Sequence, residues 1–330
     1  MENIFFNILF FLSKSIIVVF SMLLFFTGII VISIKTKKQT KDSLIIENLS
    51  IKNDKRKLKL ASYSLSKQKY KLLLKQQAKQ DKQNKKNSKK AKSCLFVLEF
   101  IGDIQAKNAN DLIMQIDTVL TMATVKDEVL VKIESGGGMI ANYGLIASQL
   151  QRIKDMKIPL TVAIDKIAAS GGYLVACVAD KILAAPFAII GSVGVIAQIP
   201  NFYNFLKKHD IDVEQITAGK HKRTLTIFGE NTPEKREKLK QELEEIHNIF
   251  SNFIQQNRSK VKIEKINTGE WWLATDAIKL QLVDILQTSN DYISKKYNTN
   301  TVLSIKNKNK KSCKFLRKIL SKNTLLDFLY

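Results

Sequence analysis

Ser170 lies within AIDKIAASGGYLVACVADKILAAP (163–186), followed at once by Gly171 and Gly172. A serine on a tight turn can be a nucleophile, but only if a neighbour takes its proton. AASGG is similar in pattern to the GxSxG nucleophile elbow, with Ala168 where the first glycine would stand. On its own the pattern is weak, because small-Ser-Gly-Gly turns also occur for packing reasons. Ser-Gly-Gly-Gly (135–138) is a second candidate. Consecutive glycines let backbone N–H groups converge on one point, as an oxyanion hole or an anion nest requires. A tight turn with positive φ is the competing explanation. No GK[ST] follows, which argues against a phosphate loop.

The third candidate is TAGKHKRTLTIFGENTP (217–233), where Lys220, His221, Lys222 and Arg223 stand together. A Ser-His-Asp arrangement around Ser170 would draw on His209, His221 or His247. A lysine base is the alternative, and it requires burial, because desolvation lowers the ~10.4 reference pKa of an amine. Periodicity does not choose between them. Metal and disulfide chemistry find no support. The histidines show no ligand spacing, no CxxC occurs, and Cys94, Cys177 and Cys313 are few, odd in number and far apart. No cofactor and no metal are expected.

The elements that must position these residues alternate. LFVLEF (95–100), EVLVKIE (128–134), LTVAID (160–165) and KILAAP (181–186) read as strands. Residues 108–123, 139–155 and 172–179 have helical character. This order predicts an α/β domain with largely parallel strands. Both glycine-rich turns follow a strand and precede a helix, the end where such sheets hold ligands and catalytic groups. Residues 232–256 predict an amphipathic helix with Thr232 as N-cap and Pro233 in the first turn. Leu239, Leu243, Ile246, Phe250 and Phe253 share one face, which suits core packing or an oligomer seam.

The net charge of +23 is unevenly placed. Residues 35–93 hold 20 Lys and Arg against 4 Asp and Glu, and residues 306–330 hold 8 against 1. Residues 94–305 carry 24 of each sign. A nucleic-acid enzyme more often carries its charge on the folded domain, so no nucleic-acid partner is expected. Residues 15–34 run about 20 residues without a charge, enough to span a ~30 Å hydrocarbon layer. With no small-x-small cleavage site, this reads as an uncleaved anchor. Lys35, Lys37, Lys38 and Lys41 follow it, so the positive-inside rule puts the N-terminus outside and the remainder in the cytoplasm. The expected organisation is a membrane anchor (1–34), a Lys-rich helical or disordered linker (35–93), a catalytic domain (94–305) and a basic tail (306–330). The tail mixes lysine with apolar residues, as an amphipathic membrane-surface helix does.

Taken in order, IESGGGMIANYGLIASQLQR, IPLTVAIDKIAASGGYLVACVADKILAAPFAIIGSVGVIAQIPN and TAGKHKRTLTIFGENTPEKREK resemble peptidase family S49, the membrane-associated serine peptidases that include signal peptide peptidase. The resemblance spans roughly residues 1–290. It implies a crotonase/ClpP-like fold of repeated β-β-α units and a Ser-Lys dyad, with Ser170 as nucleophile and Lys222 as general base. It implies an oxyanion hole from the backbone N–H of Gly171 and of the Gly137–Gly138 pair. Ser192, in GSVG, stands where relatives place a hydroxyl near the lysine amine. Two departures are visible. Gly136 takes the place of the family's usual proline, and His221 stands where an aromatic residue is common.

The function so implied is a membrane-anchored serine endopeptidase of the bacterial inner membrane. Its substrates would be membrane-associated or unfolded peptides, such as signal peptide remnants. By the same resemblance the chain is expected to form a homo-oligomer of ring or dome type. Two other classes remain. One is an inactive member of the family serving as a membrane scaffold or binding protein. The other is a crotonase-type acyl-CoA enzyme, which needs neither the Ser-Lys pair nor an anchor.

Overall fold

The computed structural model describes residues 11, 13–25, 27, 44–86, 93–219, 222 and 224–307, with residues 80–86 described in backbone only. The first elements are β1 (Leu44–Asn48), α1 (Leu49–Ser64), α2 (Lys67–Lys86), β2 (Cys94–Gly102), α3 (Ala109–Leu120), β3 (Glu128–Ser135) and α4 (Ile140–Asp155). The centre of the fold follows as β4 (Leu160–Ile164), β5 (Ile167–Ala169), α5 (Gly171–Ala176), β6 (Lys181–Ala184) and β7 (Ile189–Gly191). Then come α6 (Tyr203–Lys208), α7 (Pro233–Asn257), β8 (Trp271–Leu273), α8 (Ala274–Ala277), β9 (Ile285–Leu286), α9 (Ser289–Lys296) and β10 (Thr301–Asn307).

The main sheet runs β1-β10-β2-β3-β4-β6-β9. From β10 to β9 each neighbouring pair is parallel, and β1 closes one edge antiparallel. Parallel strands need helices on both faces, so their apolar residues run continuously rather than alternating. β2 shows this. Phe96, Leu98 and Phe100 point into one core with Leu112, Ile116 and Val119 of α3 and Ile146, Leu150 and Ile153 of α4. Leu95 and Val97 point the other way, into a smaller core with Leu130, Val302 and Tyr292 and Ile293 of α9. The spacing of Leu112, Ile116 and Val119 is the helical one that puts side chains on a single face.

A short branch of the same sheet, the side sheet, positions the candidate site. The last residue of β3, Ser135, pairs with Ala168 of β5. β5 pairs in parallel with β7, and β7 pairs antiparallel with β8. The chain therefore takes the same step twice, β4 to β5 and β6 to β7. Each time it leaves the main sheet after one strand and enters the side sheet with the next. The first step carries Ser170 across to the glycine turn that follows β3.

The mixed α/β sheet agrees with the α/β expectation, and all four sequence-read strands and the helices of 108–123, 139–155 and 232–256 appear close to their expected bounds. Thr232 caps α7 by accepting the Lys235 N–H at 3.4 Å, with Pro233 in the first turn. Only its last turns reach the core, through Phe250 and Ile254.

The expected linker is helical over α1 and α2, but it is not a linker throughout. Part of 35–93 belongs to the sheet. Leu44–Asn48 pairs with all of Leu303–Asn307, and Leu49 packs on the smaller core. Ser50 Oγ accepts the Val302 N–H at 3.0 Å. Leu44–Asn307 is accordingly one compact unit. β10 needs a partner on its outer edge, and LIIEN supplies one despite the lysines around it. Among the described residues no helix is long and apolar enough to cross a membrane. The expected span, 15–34, includes 26 and 28–34, which lie outside the described residues. The described part of it is helical, with Ile16–Val19 exposed. Residues 308–330 also lie outside the described residues.

Candidate active site

Ser170 links β5 to α5 with φ 51° and ψ −123°. Non-glycine residues are strained at positive φ, and such outliers cluster where function needs a side chain held in place. Three bonds hold this one. The Ser170 N–H donates to Gly191 O at 2.7 Å. Its carbonyl accepts from Tyr173 N at 2.9 Å and from Leu174 N at 3.0 Å. The side chain caps nothing and is half-buried. Behind it, Gly171 to Ala176 are all buried.

The glycine turn is packed directly on this serine. Gly137 has φ +92°, and a Cβ there would meet Gly171 N at 2.7 Å, Ser170 Cβ at 2.8 Å and Ala169 O at 2.9 Å. Two of these are backbone atoms that cannot step aside, so only glycine fits. A Cβ on Gly138 would lie 2.1 Å from Ile104 O. Gly136 is different. A Cβ there meets nothing nearer than Ile167 Cδ1 at 3.9 Å. Gly136 is thus the one glycine of this turn with room for a side chain.

The amides of the turn are not equivalent. Gly137 N–H donates to Ser135 Oγ at 3.1 Å. Met139 N–H donates to Ile104 O at 2.8 Å. Among the described residues no bond engages the N–H of Gly138 or of Gly171. These two remain as donors for an incoming oxygen.

Ser192 stands beside Ser170 through the side sheet. Ala169 pairs with Gly191, so each serine follows a paired residue by one step. Ser192 also has positive φ, 52°, and its N–H donates to Glu270 O at 2.6 Å.

Lys222 is not brought to Ser170. Its side chain is exposed, its N–H donates to Gly219 O at 3.2 Å, and no bond joins it to Ser170 among the described residues. The buried run Gly171 to Ala176 backs the serine, while Lys222 is exposed. Asn201 Nδ2 donates to Thr226 O and Gly229 O, at 2.9 and 3.0 Å.

Of the histidine candidates, neither His209 nor His247 bonds to Ser170 among the described residues. His209 packs on Phe205 at 4.7 Å between ring centroids. His247, on α7, lines a cleft of about 280 Å³ with Gly194, Val195 and Gly269. His221 lies outside the described residues. Cys177 is inert, because full burial pushes its thiol up to about 12. No group of acidic, histidine and cysteine residues suited to a metal occurs among the described residues.

Sequence reasoning missed one partner of this site. Tyr143 of α4 is fully buried, and its ring lies against Gly171, where an added Cβ would meet Tyr143 Cγ at 2.7 Å. A tyrosine on the inner face of an apolar helix was the available signal, since a buried hydroxyl demands a partner.

The main sheet, the side sheet and the serine turn pressed between two glycine segments define a recognisable class. The family model described as Peptidase family S49 matches residues 152–302, and the one described as Peptidase family S49 N-terminal matches residues 3–150. The chain belongs to peptidase family S49. The border between the two matches falls inside α4, so it is not a structural boundary.

Within the family the chain is similar to proteins named "Probable protease SohB". That of Haemophilus influenzae is 54% identical over 221 residues, which cover 67% of this chain and 63% of that protein. The chain thus matches a little under two thirds of that relative's length. That of Buchnera aphidicola subsp. Schizaphis graminum is 45% identical over 319 residues, 94% of this chain and 92% of that protein. A solved structure of a mutant of the membrane-bound stomatin-specific protease 1510-N aligns with TM-score 0.42 and 16% identity, over 62% of this chain and 86% of that one.

Proposed function

We propose that the chain is a serine endopeptidase anchored in the bacterial inner membrane, with a crotonase/ClpP-like domain and a Ser170–Lys222 dyad. The observation that carries the reading is the strained Ser170 turn, held against Gly137 with two unengaged amides beside it. Ser170 Oγ attacks the peptide carbonyl while its proton passes to the neutral Lys222 amine. The carbonyl oxygen becomes an oxyanion bonded by the N–H of Gly138 and Gly171, with Gly137 supplying the room. Collapse breaks the C–N bond, and Lys222 returns the proton to the leaving amine. Water then hydrolyses the ester. Ser192 orients the lysine amine through its hydroxyl.

Lys222 must be covered to serve this role, since an amine is a base only where its charged form is disfavoured. The protein works as a homo-oligomer in which that cover forms. Ile196, Phe205 and Ile216 are 85, 61 and 93% exposed. Apolar side chains exposed at this level along one segment favour a protein partner. Ile104 and Met139, 73 and 54% exposed, flank Gly138 and favour apolar side chains in membrane-associated or unfolded peptides.

The exposure of Lys222 favours one second reading, an inactive member of the family acting as a scaffold. A single experiment separates the two. A fluorophosphonate probe should label the full-length protein at Ser170, and Ser170→Ala and Lys222→Ala should both abolish labelling and casein cleavage. Unchanged cleavage in either variant overturns the dyad, and absence of labelling in the wild type favours the scaffold. A reporter fused at the C-terminus tests the orientation, and a periplasmic signal would overturn the cytoplasmic placement.

A further inference from the structure

Behind the glycine turn lies a buried chain of hydroxyl groups that the mechanism above does not use. Gly137 N–H donates to Ser135 Oγ at 3.1 Å. Ser135 Oγ lies 2.6 Å from Tyr143 Oη, and Tyr143 O–H donates to Asp103 O at 2.8 Å. Gly102 O is a further acceptor for Ser135 at 3.1 Å. Two hydroxyl hydrogens thus serve three oxygen acceptors, and either assignment keeps the Gly137 amide on Ser135. Ser135 is 2% exposed and Tyr143 not at all. In such surroundings an unpaired polar group is costly, so the chain resists opening.

The same tyrosine reaches the other side of the site. Its ring lies under Gly171, with Cγ, Cδ1 and Cβ at 2.7, 3.0 and 3.1 Å from where a Cβ would be. Phe100 supports it edge-on, with centroids 6.1 Å apart. Its own N–H is bonded to Met139 O at 3.1 Å, at the start of α4. One side chain therefore touches the residue that supplies one free amide and, through Ser135, ties down the amide next to the other.

We propose that Tyr143 is a positioning residue for acyl transfer. Its hydroxyl, acting through Ser135, holds the Gly137 amide out of the oxyanion hole and so aims the Gly138 amide into it, while its ring sets the height of Gly171. This rests on the serine peptidase reading. Neither side chain touches substrate. Ser135 sequesters an N–H that would otherwise compete for the oxyanion in a poor geometry, and Tyr143 fixes Ser135. Burial raises the Tyr143 hydroxyl above a tyrosine's ordinary value, despite the opposing bond to Ser135, which keeps it a donor.

The test uses the full-length protein in detergent with an apolar peptide substrate, a peptide boronate that mimics the tetrahedral adduct, and a fluorophosphonate probe. Tyr143→Phe keeps the ring and removes only the hydroxyl. It should lower kcat roughly 10- to 100-fold, less than loss of an oxyanion donor itself, with KM within about twofold. Boronate affinity should fall by the same factor as kcat/KM. Ser135→Ala should do likewise, and the double variant should be no worse than Ser135→Ala alone, because both act on one chain.

Tyr143→Phe at wild-type kcat, or with a raised KM and unchanged kcat, overturns the positioning role. If Tyr143→Phe fails to fold, Ser135→Ala decides by the same split. Absence of Ser170-dependent labelling in the wild type overturns the peptidase reading itself. Wild-type labelling with an unaffected Tyr143→Phe overturns the positioning role alone.

Discussion

The Ser170 amide donates to the Gly191 carbonyl at 2.7 Å, and this bond sets Ser192 one residue beyond the strand that clamps the candidate nucleophile. Both serines have nearly the same positive φ, 51° and 52°. The side sheet thus presents two strained hydroxyl residues in register. Strain of this kind is retained only where the surroundings over-determine it. If Ser192 orients the base, Ser192→Ala should keep the thermal midpoint and lower kcat about tenfold with KM unchanged, a modest share of the usual acid–base contribution. Steady-state kinetics on the variant decides, and full activity would leave Ser192 a turn residue only.

The glycine turn makes a sharper contrast. Gly137→Ala combines φ +92° with contacts of 2.7 and 2.9 Å to backbone atoms. It should cost at least about 2 kcal/mol of stability and remove fluorophosphonate labelling. Gly136→Ala, one residue away, has open space and should label within about twofold of wild type. Thermal melts and labelling of the two variants side by side check both outcomes.

Where the folded unit begins is testable by truncation. A chain starting at Leu44 keeps β1 on β10 and Leu49 on the smaller core. A chain starting at Cys94 bares the outer edge of β10, and exposed edges pair with other chains. The shorter chain should melt at least about 5 °C lower and aggregate with concentration, which light scattering during a thermal ramp would show. Equal melting of the two would put β1 outside the cooperative unit.

Acid should unfold the protein partly through Asp284. Burial by itself would raise this carboxyl, but hydrogen bonds from Arg258 and from the Ile182 amide outweigh it and hold it below the ordinary aspartate value. The bonds are 2.8 and 2.9 Å to Arg258 and 2.7 Å to Ile182. A depressed carboxyl stabilises the fold above its unfolded pKa of about 3.9 and loses that contribution as pH falls through the lower folded value. The Asp284 side chain is 36% exposed, so the effect is discounted for solvent. Asp284→Asn should cost about 2 kcal/mol near pH 7, and the gap from wild type should close below about pH 4. Denaturant titrations from pH 7 to pH 2 measure it.

Much of the site was legible because it is local. AASGG and SGGG are each short, and the turn chemistry of glycine is a property of single residues. The apolar runs around them are long enough to mark strands. β1, β5, β7 and β8 were not legible. β5 and β7 have three residues each, too few for periodicity, and exist because the main sheet hands the chain to the side strands twice, at residues 165–166 and again at residues 185–188. LIIEN was hidden by the lysines around it. Tyr143 lies in a stretch legible only as a helix, since nothing in the local pattern shows that its hydroxyl meets Ser135 eight residues earlier.

The sequence by itself determined the family, the alternation of strands and helices, and the candidate residues, because motif spacing and apolar runs are properties of the chain. Only the tertiary structure decided which of them meet. It pressed Gly137 onto Ser170, set Ser192 in register with it, assigned the Gly137 amide to Ser135 and left Lys222 exposed. The Gly137–Ser170 and Ser170–Ser192 placements depend on contacts between segments tens of residues apart. Their geometry follows from how β3, β5 and β7 share the side sheet, and no local pattern encodes that.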